Sequence, residues 1–255
     1  MMHYLYAFCV ALLAGFVDAI AGGGGLIQLP GLIFLFPQVP IAYLLGTNKL
    51  ASSSGTLMAS YHFAHTLHIR LKTVLPAIVA AFLFSLLGAH TATQIDNEIL
   101  KPIVFILLLG IGGYVLVKKN LGLHPVPKSH TAVQLGIYFA LIGMAFGFYD
   151  GFLGPGVGSM LIFIYIGWLG CDFLHGSAYA KLTNLASNVA AMLYFGFTHH
   201  IFYKLGLLMA VGNVIGNLFG AKLAIKKGSG FVRVVFLVVI IVILMKLWES
   251  LMMRL

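Results

Sequence analysis

Charge is what this sequence has least of. Only 8% of its 255 residues are Asp, Glu, Lys or Arg, against about 25% in a soluble domain. A soluble fold is excluded at once. Cysteine is nearly absent as well. Cys9 and Cys171 lie in apolar segments and do not match in position, so neither a disulfide framework nor a cysteine metal site is expected. The short alternating segments of a membrane β-barrel are missing. So are G-x-S-x-G, H-E-x-x-H, a phosphate loop and any heptad stripe. An enzyme is therefore not expected, and neither is a cofactor.

What fills the chain instead is apolar. Hydrophobic residues make up 61%, and the mean hydropathy is +1.03. Apolar stretches of about 20 residues match the hydrocarbon thickness of a bilayer. The expectation is an all-α, polytopic membrane protein with no soluble domain. Its first apolar run has no basic flank, since no Lys or Arg precedes Lys49. That run leads into a motif that recurs later, so it does not read as a removable signal peptide. The net charge of +9 comes from basic residues scattered among loops. There they meet anionic lipid headgroups and set orientation, so membrane lipid is the expected partner and nucleic acid is not.

The chain is one unit written twice. Asp18 in GFVDAIAGGGG and Asp150 in GFYDGFLGPGVGS lie 132 positions apart. The same offset links Gly15 to Gly147, Gly22 to Gly154, Gly24 to Gly156, Lys49 to Lys181, Phe63 to Phe195 and Lys72 to Lys204. An internal repeat with interrupted hydrophobic segments at matching places is the mark of a secondary transporter. Two helical halves with glycine-broken helices are expected, at 1–123 and 132–255, joined by a connector at 124–131. Apolar segments run over 4–21, 26–36, 41–66, 73–93 and 102–117, then 133–153, 159–169, 173–197, 205–225 and 232–247. Asp96 and Glu98 follow 73–93, whereas Lys226, Lys227 and Arg233 stand in the equivalent loop of the second copy. That swap favours halves of opposite orientation, an inverted repeat; Lys204 points the other way. If the first two short segments of each half form a hairpin, inversion follows. If they form one broken helix, the repeats are parallel.

Glycines Gly22, Gly23, Gly24 and Gly25, and their counterparts Gly154, Gly156 and Gly158 before Ser159, should end one helix and open the next. A helix start offers N–H groups and the positive end of a dipole, which attract anions. Such glycines also serve close helix packing. Recurrence at one offset, with an acid four residues ahead each time, favours a site. Lys181, Asn184 and Asn188 share a helical face at i, i+3, i+7, and Lys49, Ser52 and Thr56 repeat that spacing after Asn48. An apolar span turns such a stripe toward protein or water. The lysines either bind an anion, brace the fold by pairing with acids, or reach the headgroups. Asp18 and Asp150 are costly in a bilayer, so pairing or proton binding is the default role. His62, His65 and His68 lack the further ligands that a metal needs and read as interfacial.

The stretches GFVDAIAGGGGLIQLPGL, LGTNKLAS, GFYDGFLGPGVGSML and AKLTNLASNVAAMLYF resemble the paired signatures of the TauE/SafE sulfite exporter family of membrane transporters. The resemblance implies a multi-pass permease of the bacterial inner membrane, built from two related halves and often linked to sulfite or organosulfonate anions. Carried over residue by residue, it supports positions 18–25, Asn48 and Lys49 in the first half. In the second it supports 150–159, Lys181, Asn184 and Asn188. Ser52 and Thr56 stand where the second half has asparagines, so the site should be only roughly symmetric. The function expected is a secondary transporter of small anions with proton coupling through Asp18 and Asp150. A passive anion channel is the alternative. A small anionic substrate is the expected partner, and a homo-oligomer stays open.

Overall fold

A computed structural model describes residues 2–69, 71–96 and 131–252. Among these residues there are eight helices and no strand. They are α1 (Met2–Ala21), α2 (Gly25–Leu35), α3 (Ile41–Thr66), α4 (Leu71–Gln94), α5 (Ala132–Phe152), α6 (Val157–Leu169), α7 (Phe173–Phe197) and α8 (Tyr203–Met252). The last is interrupted at Gly228, whose φ of 78° is not helical. The apolar segment expected over 102–117, and the connector up to residue 130, lie outside the described residues.

Helices α1, α4, α5 and the Tyr203–Gly228 part of α8 are long and apolar enough to cross a membrane. Helices α3 and α7 are as long, at 26 and 25 residues, but polar along one face. The 11 residues of α2 and 13 of α6 reach only about 16–20 Å at 1.5 Å per residue, short of a hydrocarbon core about 30 Å thick. The helix starts Gly25, Ile41 and Leu71 each precede Val157, Phe173 and Tyr203 by 132 positions.

Both short helices fold back on the helix before them. Gly31 of α2 packs against the Val10 side chain of α1, and the Phe36 ring lies 6.1 Å from that of His3. In the second half Tyr138 lies 5.3 Å from Trp168, and Phe139 lies 5.3 Å from Tyr165. Each pair is thus a helical hairpin, not one broken rod. The reversals start at Gly22 (φ 69°) and Gly154 (φ 87°), a backbone conformation that glycine adopts without steric penalty.

The packing crosses between the halves. Helix α1 runs parallel to α8, with Phe8, Leu12 and Phe16 against Gly212, Gly216 and Gly220. Helix α4 runs parallel to α5, with Ala77, Ala81 and Ser85 against Gly143, Gly147 and Gly151. In lipid, large apolar side chains gain little by meeting each other. Close backbone approach along small residues drives association instead. A Cβ on Gly151 would strike the Ser85 carbonyl, and one on Gly216 the Leu12 carbonyl. The opposite face of α4 carries Leu75, Val79, Leu83 and Leu87, all exposed. Along these helix contacts the inward face is small-residue, while the outward face is bulky and apolar.

Helices α3 and α7 meet antiparallel at the centre. Gly46, early in α3, sits against Phe195 and the His200 carbonyl, at the far end of α7. Tyr43 lies 5.0 Å from the His200 ring. The polar stripes of both helices face each other here.

Candidate functional site

The glycine segments abut. Gly22 and Gly158 approach so closely that a Cβ on either would collide with the other's backbone. A Cβ on Gly25 would lie 3.2 Å from Pro155 Cα, and Ser159 Oγ donates to the Ala21 carbonyl at 3.0 Å. The two segments differ in detail. Gly156 caps α6 with a φ of 79°, while its counterpart Gly24 caps α2 with a φ of −56°. Neither helix has a side-chain N-cap; the Leu26 and Ile27 N–H groups turn back to the Gly23 and Gly24 carbonyls, and that of Val157 to the Gly154 carbonyl.

Two ion pairs flank this contact, and each joins one half to the other. Lys49 on α3 meets Asp150, in the last turn of α5, at 2.7 Å. Lys181 on α7 meets Asp18, near the end of α1, at 2.8 Å, and also donates to the Asp18 main-chain carbonyl. Both lysines and Asp150 are 1% exposed, and Asp18 is 8% exposed. That burial keeps both ammonium groups inside the protein. Further contacts tie the pairs to α7. Lys49 Nζ donates to Asn188 Oδ1 at 2.9 Å, and Asn188 Nδ2 donates to Asn184 Oδ1 at 3.1 Å. Ser187 Oγ donates to Asp150 Oδ2 at 2.6 Å.

Beside the glycine contact lies a small polar pocket of about 20 Å³, partly open to the outside, with room for about one water molecule. From α3 it is lined by Asn48, Lys49, Ser52 and Thr56, and from α7 by Asn184 and Asn188. Asp18 and Asp150 line it too, with Gly22, Gly24 and Gly25 of the first half and Gly154, Gly156 and Gly158 of the second. Of the candidate residues, Gly23, Ser159 and Lys181 do not line it. Each lysine is held by an acid, and of the two Lys49 belongs to the cavity wall. Asp18, Gly22, Gly24, Gly25, Ser52 and Thr56 line the pocket together with their counterparts Asp150, Gly154, Gly156, Val157, Asn184 and Asn188, whereas Asn48, Lys49, Gly158 and Asn213 line it without theirs.

The cavity wall also contains Asn213 of α8, which sequence reasoning missed together with Gln28, Ser187 and Asn217. Asn213 and Asn217 sit four apart in an apolar helix, and a polar stripe of that kind points inward. The repeat masked it, because their counterparts are Ala81 and Ser85. The wall as a whole presents an ammonium, amides, hydroxyls and helix starts against two carboxylates. Among the described residues no three His, Cys, Asp or Glu side chains converge as metal ligands.

Residues 7–247 match the family profile described as sulfite exporter TauE/SafE. Relatives include a "probable membrane transporter protein" of Haemophilus influenzae, 37% identical over 89% of this chain and 87% of its own length. A "probable membrane transporter protein ORF9" of Sinorhizobium is 34% identical over 95% of this chain and 91% of its own. The "probable membrane transporter protein YfcA" of Escherichia coli K12 is 34% identical over 94% and 87%. No solved structure matches the chain.

Proposed function

Since this chain belongs to the sulfite exporter TauE/SafE family and is a multi-pass membrane transporter, we propose that its cavity carries a small anion, sulfite or an organosulfonate, in exchange for or together with protons. The supporting observation is the buried Lys49–Asp150 pair on the wall of a donor-lined cavity. Opposite charges this close attract strongly where water is scarce. An ionised Asp150 therefore occupies Lys49, and a protonated one leaves the ammonium to an incoming anion. Release follows when Asp150 loses its proton and takes Lys49 back.

In this reading Asn48, Ser52, Asn184 and Asn188 hold the anion's oxygens. The helix starts at Gly25 and near Gly158 add N–H groups at the positive ends of α2 and α6. Asp18 carries the second proton, and Lys181 works through it from behind. The halves, 1–123 and 132–255, form an inverted repeat; the antiparallel α3 and α7 and the matched helix starts support this. Rocking of one half against the other would then open the cavity to either side of the bacterial inner membrane.

Purified protein in proteoliposomes tests the proposal with sulfite, sulfate, thiosulfate and small sulfonates. The expected result is saturable sulfite or sulfonate flux driven by a pH gradient, with the gradient dependence lost in Asp150→Asn. Flux that neither saturates nor follows the gradient would favour a passive channel. If none of these anions moves, the cargo assignment is wrong.

A further inference from the structure

A chain of amides on α8 and α2 reaches the cavity. Asn217 Nδ2 donates to the Asn213 main-chain carbonyl at 3.1 Å and to Asn213 Oδ1 at 2.8 Å. Asn213 Nδ2 donates to Gln28 Oε1 at 2.6 Å. Gln28 Nε2 in turn donates to the main-chain carbonyl of Asn48 at 3.4 Å. A main-chain carbonyl can only accept, so it settles the orientation of whatever amide faces it. Asn217 must turn its nitrogen to Asn213, and Gln28 must turn its nitrogen to Asn48. The Gln28 oxygen is then left facing Asn213, which has to answer with its own nitrogen.

Among the described residues Asn217 Oδ1 has no partner, Gln28 keeps a second N–H, and Asn213 keeps one N–H beside the cavity. Asn213 is 3% exposed and lines the cavity. Its oxygen is held by Asn217 and one of its two N–H bonds by Gln28, which leaves a single N–H as its offering to the cavity. Gly55 on α3 makes the room, since a Cβ there would strike both Asn213 Oδ1 and Asn217 Nδ2. The other half has nothing like it. Ala81 stands at the position matching Asn213, Met160 at that matching Gln28, and Ser187 at that matching Gly55.

We propose that Asn213 is a ligand-binding residue that donates to one oxygen of an oxoanion and holds it off-centre toward α8, with Gln28 and Asn217 as the positioning residues that lock its rotamer. The proposal rests on the anion reading above and narrows the ligand class. An ammonium serves any anion, whereas a second donor at a fixed place favours an ion with several oxygens over a single-centre halide.

Calorimetric titration of the purified full chain in detergent, with sulfite, methanesulfonate and bromide as probes, tests it. Wild type should prefer the two oxoanions to bromide. Asn213→Ala, which installs the residue of the other half, should weaken sulfite and methanesulfonate at least tenfold and leave bromide within twofold. Lys49→Ala should weaken all three alike. A merely structural role would lower the number of binding sites and leave the dissociation constants and their ratios unchanged. If Asn213→Ala does not fold, Asn213→Ser carries the same expectation. Sulfite binding within twofold of wild type in a folded variant overturns the role of Asn213 and leaves the anion site standing. Equal losses for sulfite and bromide overturn the oxygen-specific contact. A wild type that binds none of the probes overturns both readings.

Discussion

A lysine buried at the centre of a membrane protein has to be neutralised where it stands. Removing one member of a buried pair leaves the other charge uncompensated, at about 3–5 kcal/mol. Asp150→Asn should therefore lower the melting temperature in detergent markedly, while the Lys49→Met, Asp150→Leu double variant regains most of the loss. The orphaned ammonium of Asp150→Asn should also be the best anion site the protein can offer. Sulfite added at about 100 times its dissociation constant should restore roughly 2.7 kcal/mol, read as a rise in melting temperature larger than in wild type. Binding to wild type should tighten as pH falls, because protonation of the acids frees the ammonium; Asp150→Asn should flatten that dependence. The positions of these acids and lysines were legible in the sequence, because a constant offset singles out equivalent residues. Their partnership was not. The offset relates residues that never touch, and Lys181 finds its acid 163 positions away. Asn213 stayed hidden for the same reason, with an alanine where a repeat would have placed its twin.

Elements meet here through rows of glycine, so their tolerance to substitution is uneven. Gly147 lies against the Ala81 backbone, and its replacement by Val should cost about 1–3 kcal/mol or more through overpacking. Gly136, on the same helix α5, has nothing within 4 Å of an added Cβ. Its replacement by Ala should stabilise the protein by up to about 1 kcal/mol through helix propensity alone. Thermal melts of the two variants side by side check the contrast. The helices themselves were readable from apolar length, glycine and proline, and their ends fall within a few residues of expectation. Whether a short helix folds back or continues was not readable, since both arrangements need the same glycines. The contacts of Val10 with Gly31 and of Tyr138 with Trp168 decide it, and these depend on neighbours far along the chain.

At the scale of the whole molecule, direction is the organising variable. Leu71 opens α4 just beyond the end of α3, while Phe202, ahead of α8, donates its N–H to Thr47 Oγ1 in the second turn of α3. The stretch of α3 from Thr47 to Thr66 separates the two places, about 29 Å at 1.5 Å per residue. Cysteines introduced at Lys72 and Lys204, in a background without Cys9 and Cys171, should therefore label from opposite faces of the membrane; labelling from one face would rule out inverted halves. Charge bias had given only a divided vote on this point. The crossed packing also sets an order for biogenesis. Helix α4 finds its parallel partner α5 about 40 residues downstream, so that pair can close early in translation. Helix α1 waits about 180 residues for α8, which at 5–20 residues per second is roughly 10–35 s. Helix α1 is thus among the last of these helices to be docked, and until then its small-residue face meets lipid or the insertion machinery. Ribosomes that stop before α8 would leave α1 without its partner.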